Sequence, residues 1–199
     1  MCGNQRKEKN IQDQLYKMEH FYQNIHGWFN YEELYSEMVK RFDSGSLFVE
    51  VGSWLGRSAS FMGVEIANSG KIMRLDCVDL WYGKDIDALK DEEVVKNGTL
   101  YNDFLKNIYP VNQIVSAFRM TSMEGVNLYQ DNSLEFVFLD AGHEKEDIEF
   151  DVPNWYRKVK SGGVIAGHDY DYPQIGETVR SFFKRYEVIT PNTWVHYKQ

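Results

Sequence analysis

Strands that alternate with helices, followed by a closing hairpin, predict an α/β protein built as a three-layer sandwich. Three observations carry this prediction. Two short apolar runs, Phe136–Leu139 and Val164–Ala166, are separated by enough chain for a crossover helix, so they form a right-handed parallel unit. Leu47–Val51 reads as another buried strand and runs straight into a glycine turn and a helix. Glu187–Ile189 and Trp194–Tyr197 flank Pro191-Asn192 as an antiparallel hairpin.

The elements follow in order. Residues 1–10 are polar, and Ile11, Leu15, Met18 and Phe21 then recur at helical spacing. Asn30 with Glu33 resembles an N-cap followed by a nearby acid, opening a helix through Lys40. After strand 47–51, a helix over about 57–68 ends at Ser69-Gly70. Ile72–Leu80 is the second strand, with Cys77 inside it as a buried free thiol, and Tyr82–Asn97 is polar and mixed in charge. Thr99–Ile108 is helical and stops before Pro110, Ile114–Phe118 is the third strand, and Ser122–Tyr129 is a short helix. The crossover segment after Leu139 closes at Ser161-Gly162-Gly163, and Val179–Arg185 belongs to a further helix. The expected organisation is an N-terminal helical segment over 1–45, lying on the substrate side, and one globular unit over 46–199.

Composition narrows the function classes. The chain has 199 residues, 43% of them hydrophobic and 15% aromatic, enough for a proper core. A formal net charge of -8 and a pI near 5.2 argue against nucleic acid or an anionic membrane as partner through a general basic field. No stretch approaches the roughly 20 apolar residues of a membrane span, and the first residues lack the apolar region of a signal peptide. The expectation is a soluble, cytoplasmic protein with a small-molecule partner, and a homo-oligomer is compatible with it.

Chemistry gathers at predicted strand ends. Asp140 and His143 follow one strand of the parallel unit, and His168 and Asp169 follow the other, so all four belong to the carboxyl edge of one sheet. At the same edge, Val49-Glu50-Val51-Gly52-Ser53-Trp54-Leu55-Gly56-Arg57-Ser58 is strand, glycine turn and helix, where backbone can approach a ligand closely. Its glycine spacing departs from GxGxxG, which weakens a pyrophosphate reading. The second strand ends in Val78-Asp79-Leu80-Trp81, placing a carboxylate where it can accept from both hydroxyls of a ribose. Glycine turn and acid together specify an adenosine-containing ligand.

With these motifs in place, the chain resembles the class I S-adenosylmethionine-dependent methyltransferases. More narrowly, it is similar to the small family of the methyltransferase domain 24 type, whose pattern runs GW, EIGSWxGRS, VDxW, DxxHxY and GGxxxxHDY. Here these stand as Gly27-Trp28, Glu50–Ser58, Val78–Trp81, Asp140-Ala141-Gly142-His143 and Gly162–Tyr170, covering about Ile25 to Phe183. One departure is Lys145, where the family usually has an aromatic two residues after the histidine. The resemblance implies a Rossmann-like, seven-stranded, mostly parallel sheet with an antiparallel last strand. It implies S-adenosylmethionine over Gly52, with Glu50 near the methionine amino end, Asp79 on the ribose and Ser122-Met123 beside the adenine. Ser53, Gly56, Ser58, Leu80, Trp81 and Asp140 complete the expected cofactor residues.

Asp140, His168 and Asp169 form a set able to hold Mg2+ or Mn2+ through hard oxygens and an imidazole. His143, with Asp140, is then the catalytic candidate, taking a proton from a substrate hydroxyl near neutral pH. The alternative is that both histidines only brace loops. Likewise, Trp28, Trp54, Trp81 and Tyr82 either cover the ligand or pack in the core. The leading expectation is O-methylation of a small hydroxylated acceptor, a sugar or secondary metabolite. A nicotinamide-dependent oxidoreductase and a non-catalytic adenosine-ligand binding module are the competing readings.

Overall fold

A computed structural model of the chain describes residues 17–83, 92–190 and 192–199. Its centre is a seven-stranded sheet of β1 (Leu47–Val51), β2 (Arg74–Asp79), β3 (Val115–Arg119), β4 (Leu134–Leu139), β5 (Val159–Gly167), β6 (Glu187–Thr190) and β7 (Thr193–Tyr197). The order across the sheet is β3-β2-β1-β4-β5-β7-β6. The pairs from β3 through β5 are parallel, and β7 runs antiparallel to both its neighbours. The order turns round between β1 and β4, which opens a crevice at their carboxyl ends.

Helices cover both faces. On one side α1 (Glu32–Arg41), α2 (Arg57–Ser69), α3 (Glu93–Lys96) and α4 (Leu100–Ile108) bring Tyr35, Met38, Met62 and Phe104 onto Phe48, Leu75, Phe136 and Phe138. On the other, α5 (Ser122–Gly125), α6 (Lys145–Lys158) and α7 (Pro173–Phe182) follow β3, β4 and β5; α6 and α7 set Ile148, Val152, Trp155 and Val179 against Val49, Val51, Val137 and Ile165. Burying each of these side chains contributes about 1.5–3 kcal/mol, so the central strands are held from both faces. Residues of β1 alternate between the faces: Phe48 and Glu50 point one way, Val49 and Val51 the other. Glu50 is therefore a carboxylate set into the apolar layer under α1.

Several expectations shift in detail. The helix expected over Ile11–Phe21 lies mostly outside the described residues, and its described part is not helical; a 3-10 turn at Tyr22–Asn24 follows. Asn30 does not cap α1: Tyr31 holds that position without a side-chain cap, because the Asn30 amide is engaged elsewhere. Ser161-Gly162-Gly163 does not separate helix from strand. The helix ends at Lys158 and these residues lie within β5, where the register with β4 shifts between Leu134 and Phe136. The last helix starts at Pro173, whose missing N–H costs nothing at a first helical position. Part of the Tyr82–Asn97 region, residues 84–91, lies outside the described residues. Cys77 is a buried free thiol, as its strand position implies. Tyr31, Leu34, Tyr35, Met38 and Val39 belong to the main core, so α1 is built into the same layer as α2.

Candidate active site

Register places the polar groups in one row. Val51 stands opposite Val78 on β2 and Leu139 on β4, and Leu139 stands opposite Gly167 on β5. The next residues of these strands are Gly52, Asp79, Asp140 and His168, side by side at the carboxyl edge. Backbone bonds carry the ladder into this row: Gly52 N–H donates to Val78 O (2.9 Å), Asp140 N–H to Val51 O (2.7 Å) and His168 N–H to Leu139 O (3.0 Å).

Gly52 is demanded by this row. Its φ is +87°, and a Cβ would lie 2.0 Å from the carbonyl oxygen of Asp140. The glycine thus serves the close approach of β4 to the turn after β1, in addition to any ligand lying above it. Asp79 fastens the same turn. One carboxylate oxygen accepts from the N–H groups of Ser53 (2.8 Å) and Trp54 (3.1 Å), and the other from Trp81 N–H (2.6 Å). Trp54 and Trp81 both have φ +47°, a region costly for a bulky side chain. Asp79 holds both strained positions, and the Trp81 indole N–H reinforces them by donating to Trp54 O at 2.8 Å. Burial raises the Asp79 carboxyl above its usual range, against the three backbone donors.

Glu50 is fully buried. Tyr35 OH donates to one of its oxygens at 2.7 Å and Ser58 Oγ to the other at 3.1 Å. Burial pushes its carboxyl up to about 7, with these donors pulling the other way. In the turn that follows, the indole N–H of Trp54 is buried and has no hydrogen-bond partner among the described residues. An unspent donor in the turn between two acids matches what a polar ligand over Gly52 would use.

The second half of the row is a cluster of charge. Asp169, at φ +55°, sits between two imidazoles: His143 Nε2 is 2.9 Å from its Oδ2 and His168 Nδ1 is 3.1 Å from its Oδ1. Burial alone would raise the Asp169 carboxyl, but these two partners hold it well below the ordinary range. The hydrogen bond to Asp169 raises His143; in His168, burial opposes the charged ring, yet Asp169 and Asp140 outweigh it. Asp140 accepts from Tyr31 OH at 3.1 Å, lies 3.7 Å from His168 Nδ1, and is pushed up to about 6 by burial. Asp140, His143 and Asp169 each offer one ligand atom within 4.8 Å of the other two. That trio has His143 where the sequence reading has His168; His168 stands directly behind it. Leu139, Ile148, Val152, Ile175 and Trp194 form an apolar floor to a small cavity beneath the cluster.

The remaining expected residues are placed as follows. Gly56 caps α2 in a left-handed conformation, and Ser58 is spent on Glu50. The Trp81 side chain is 3% exposed and packs on Phe104 and Tyr101, so the core reading holds for its ring. Leu80 and Met123 are exposed on the rim, as are Trp28 and Tyr82. Ser122 Oγ donates to the buried Asp151 and accepts from Trp155 Nε1 at 2.8 Å, which anchors the start of α5. Four residues join the site without having been read as site residues in the sequence: Asn30, Tyr31, Tyr35 and Tyr172. Tyr172 packs its ring 5.2 Å from that of His143, supplying an aromatic neighbour from β5–α7, while Lys145 turns to Glu149 at 3.6 Å. The local pattern marks Asn30 only as a helix cap, and nothing near Tyr31 in sequence points to Asp140.

Comparison with known proteins adds the following. A family model described as a methyltransferase domain matches residues 49–170. The uncharacterized protein y4gI of Sinorhizobium fredii is 22% identical over 144 residues, 72% of this chain. The chain spans only 15% of that relative's length. Among solved structures, the O-methyltransferase NovP superposes with a TM-score of 0.66 at 15% identity, covering 84% of this chain and 79% of its own. The SAH complex of SMU.1697c from Streptococcus mutans has a TM-score of 0.59 at 12% identity, with 87% of this chain and 100% of that one covered. At such identities the likeness is one of fold. Among the described residues no helix is long and apolar enough to cross a membrane. A family match over more than half of the chain, on the sheet order and glycine turn described above, gives the family: the chain belongs to the methyltransferase-domain family.

Proposed function

We propose that this methyltransferase acts on a hydroxyl group of a small acceptor, a sugar or secondary metabolite, with a divalent cation and a histidine base. The observation that carries the reading is the convergence of Asp140, His143, His168 and Asp169 at the end of β4 and β5, beside the turn of Gly52. S-Adenosylmethionine would be held by Glu50, Ser53 and Asp79 around Gly52, with Leu80, Ser122 and Met123 along the rim. Mg2+ or Mn2+ would be held by Asp140, Asp169 and His168, a donor set of hard oxygens and one imidazole that suits such ions. When bound, the cofactor supplies an electrophilic methyl group and the cation lowers the pKa of a hydroxyl.

The chain's own residues do the rest. Asp169 accepts from His143 Nε2, which fixes the tautomer and leaves Nδ1 as the basic nitrogen. His143 is half-exposed at the crevice mouth and takes the hydroxyl proton there. Tyr31 holds Asp140 in place from the side of α1. The apolar side chains of Leu139, Ile148, Val152, Ile175 and Trp194 line the cavity at the cluster, and methyl transfer between aligned partners gains from such a less polar wall.

A second reading has its own observation, the 4.8 Å grouping of Asp140, His143 and Asp169, which would make His143 a ligand in place of a base. Incubation with labelled S-adenosylmethionine and a pool of hydroxylated acceptors, with and without chelator, tests the main reading. Chelator-sensitive transfer to an oxygen is expected; transfer only to nitrogen or carbon acceptors overturns it. Mn2+ affinity of His143→Gln and His168→Gln separates the two readings: the first predicts loss only in His168→Gln, the second in His143→Gln.

A further inference from the structure

Asn30 lies far from the sheet edge in sequence, yet its side chain reaches the charge cluster. Its amide Nδ2 donates to Asn192 Oδ1 at 3.0 Å, and its Oδ1 lies 3.1 Å from His168 Nε2. Asn192 Oδ1 also accepts from Thr190 Oγ1 at 3.3 Å, and the turn is pinned by Tyr170 N–H donating to Asn192 O at 3.0 Å. An amide has one accepting and one donating end. Because Asn192 takes the donating end, Asn30 faces His168 with a carbonyl oxygen, which only accepts. His168 Nε2 must therefore carry the hydrogen of that bond. The opposite ring nitrogen, Nδ1, is the one between Asp169 (3.1 Å) and Asp140 (3.7 Å). His168 is 8% exposed, and its ring packs 5.3 Å from that of Tyr31, which favours this ring orientation.

We propose that Asn30 is the positioning residue that aims His168: by accepting the Nε2 hydrogen, it turns the Nδ1 side of the ring onto Asp140 and Asp169. The β6–β7 turn acts through Asn192 to set the orientation of Asn30. Residues 30 and 31 then work as a pair from the segment before α1, Asn30 on His168 and Tyr31 on Asp140. The segment thus reaches two members of the cluster, His168 and Asp140. The consequence for a bound cation rests on the metal reading above; the orientation of the ring does not.

Two measurements separate these levels. Long-range 15N–1H correlation spectra of the metal-free protein read which nitrogen of His168 holds hydrogen. A hydrogen on Nε2 is expected in the wild type. A neutral ring with a bare Nε2 and a hydrogen on Nδ1 would mean the Asn30 amide is turned the other way, and it overturns the proposal whatever the metal does. In Asn30→Leu the acceptor is gone, while Asn30→Asp keeps one. Titration with Mn2+ alone is expected to show about tenfold weaker binding in Asn30→Leu, in line with the 10–100-fold effects of groups that orient metal ligands, and affinity kept by Asn30→Asp. A melting curve establishes that Asn30→Leu is folded. Equal Mn2+ affinity in a folded Asn30→Leu overturns the proposal. If the wild type itself binds no Mn2+, the metal reading fails and the spectra alone decide on Asn30.

Discussion

Asp79 fastens two turns, and in the proposed reading it also holds the ribose, so Asp79→Ala tests both roles. Its carboxylate accepts three backbone N–H groups, two in the turn after β1 and one in the turn after β2. Leaving a buried donor without a partner costs about 1–3 kcal/mol, although water can reach part of this site and the raised carboxyl shows that burying the charge already costs something. A net loss of about 2–4 kcal/mol follows. For a chain of this length that lowers the melting temperature by roughly 4–16 °C. Asp79→Asn keeps one accepting oxygen and should lose about half as much. Thermal and urea unfolding by circular dichroism read the stability, and calorimetric titration with S-adenosylmethionine reads the ribose contact. An Asp79→Ala protein that melts within ~1 °C of the parent would refute the fastening role. One that is destabilised but binds cofactor unchanged would remove Asp79 from the ligand site.

Other outcomes follow from the same geometry. Glu50 rises from 4.5 to about 7 on folding, a difference worth about 3 kcal/mol. The folded state holds that proton more tightly, so stability falls as pH rises through the window from 4.5 to about 7. Glu50→Gln should flatten this slope between urea unfolding at low and at neutral pH, and an unchanged slope would count against a buried, protonatable Glu50. Gly52→Ala combines a φ of +87° with a Cβ 2.0 Å from Asp140 O, so it should cost more than about 3 kcal/mol and displace Asp140; a fully stable variant with intact Mn2+ binding would show that the turn yields easily. His143, raised by Asp169, should give turnover an acidic limb above the ordinary histidine range, rising with pH as the ring loses its proton. Asp169→Asn should move that limb downward; a limb that stays put would assign it to another group.

The sequence alone determined the fold class and the row of candidate residues at one sheet edge. Strand, turn and helix signals are local, decided by residues within a few positions, and parallel pairing sends every strand end to one edge. That logic found Gly52, Asp79, Asp140 and His168 in one row, along with Glu50 just behind it. Local signals misled where a residue's best partner is distant. Asn30 carries the marks of a helix cap, yet its amide goes to His168, 138 positions away, and to Asn192, 162 positions away. Tyr31 reaches Asp140 across 109 positions. Asp79 reads as an acid free for a ribose, but tertiary structure surrounds it with backbone N–H groups left unpaired by two tight turns. The pairing of His143 with Asp169, which sets the tautomer of the proposed base, likewise exists only once β4 and β5 lie side by side. Hydrogen-bond partners are chosen by proximity in the folded chain, and a one-dimensional pattern carries the elements that create that proximity without carrying the choice itself.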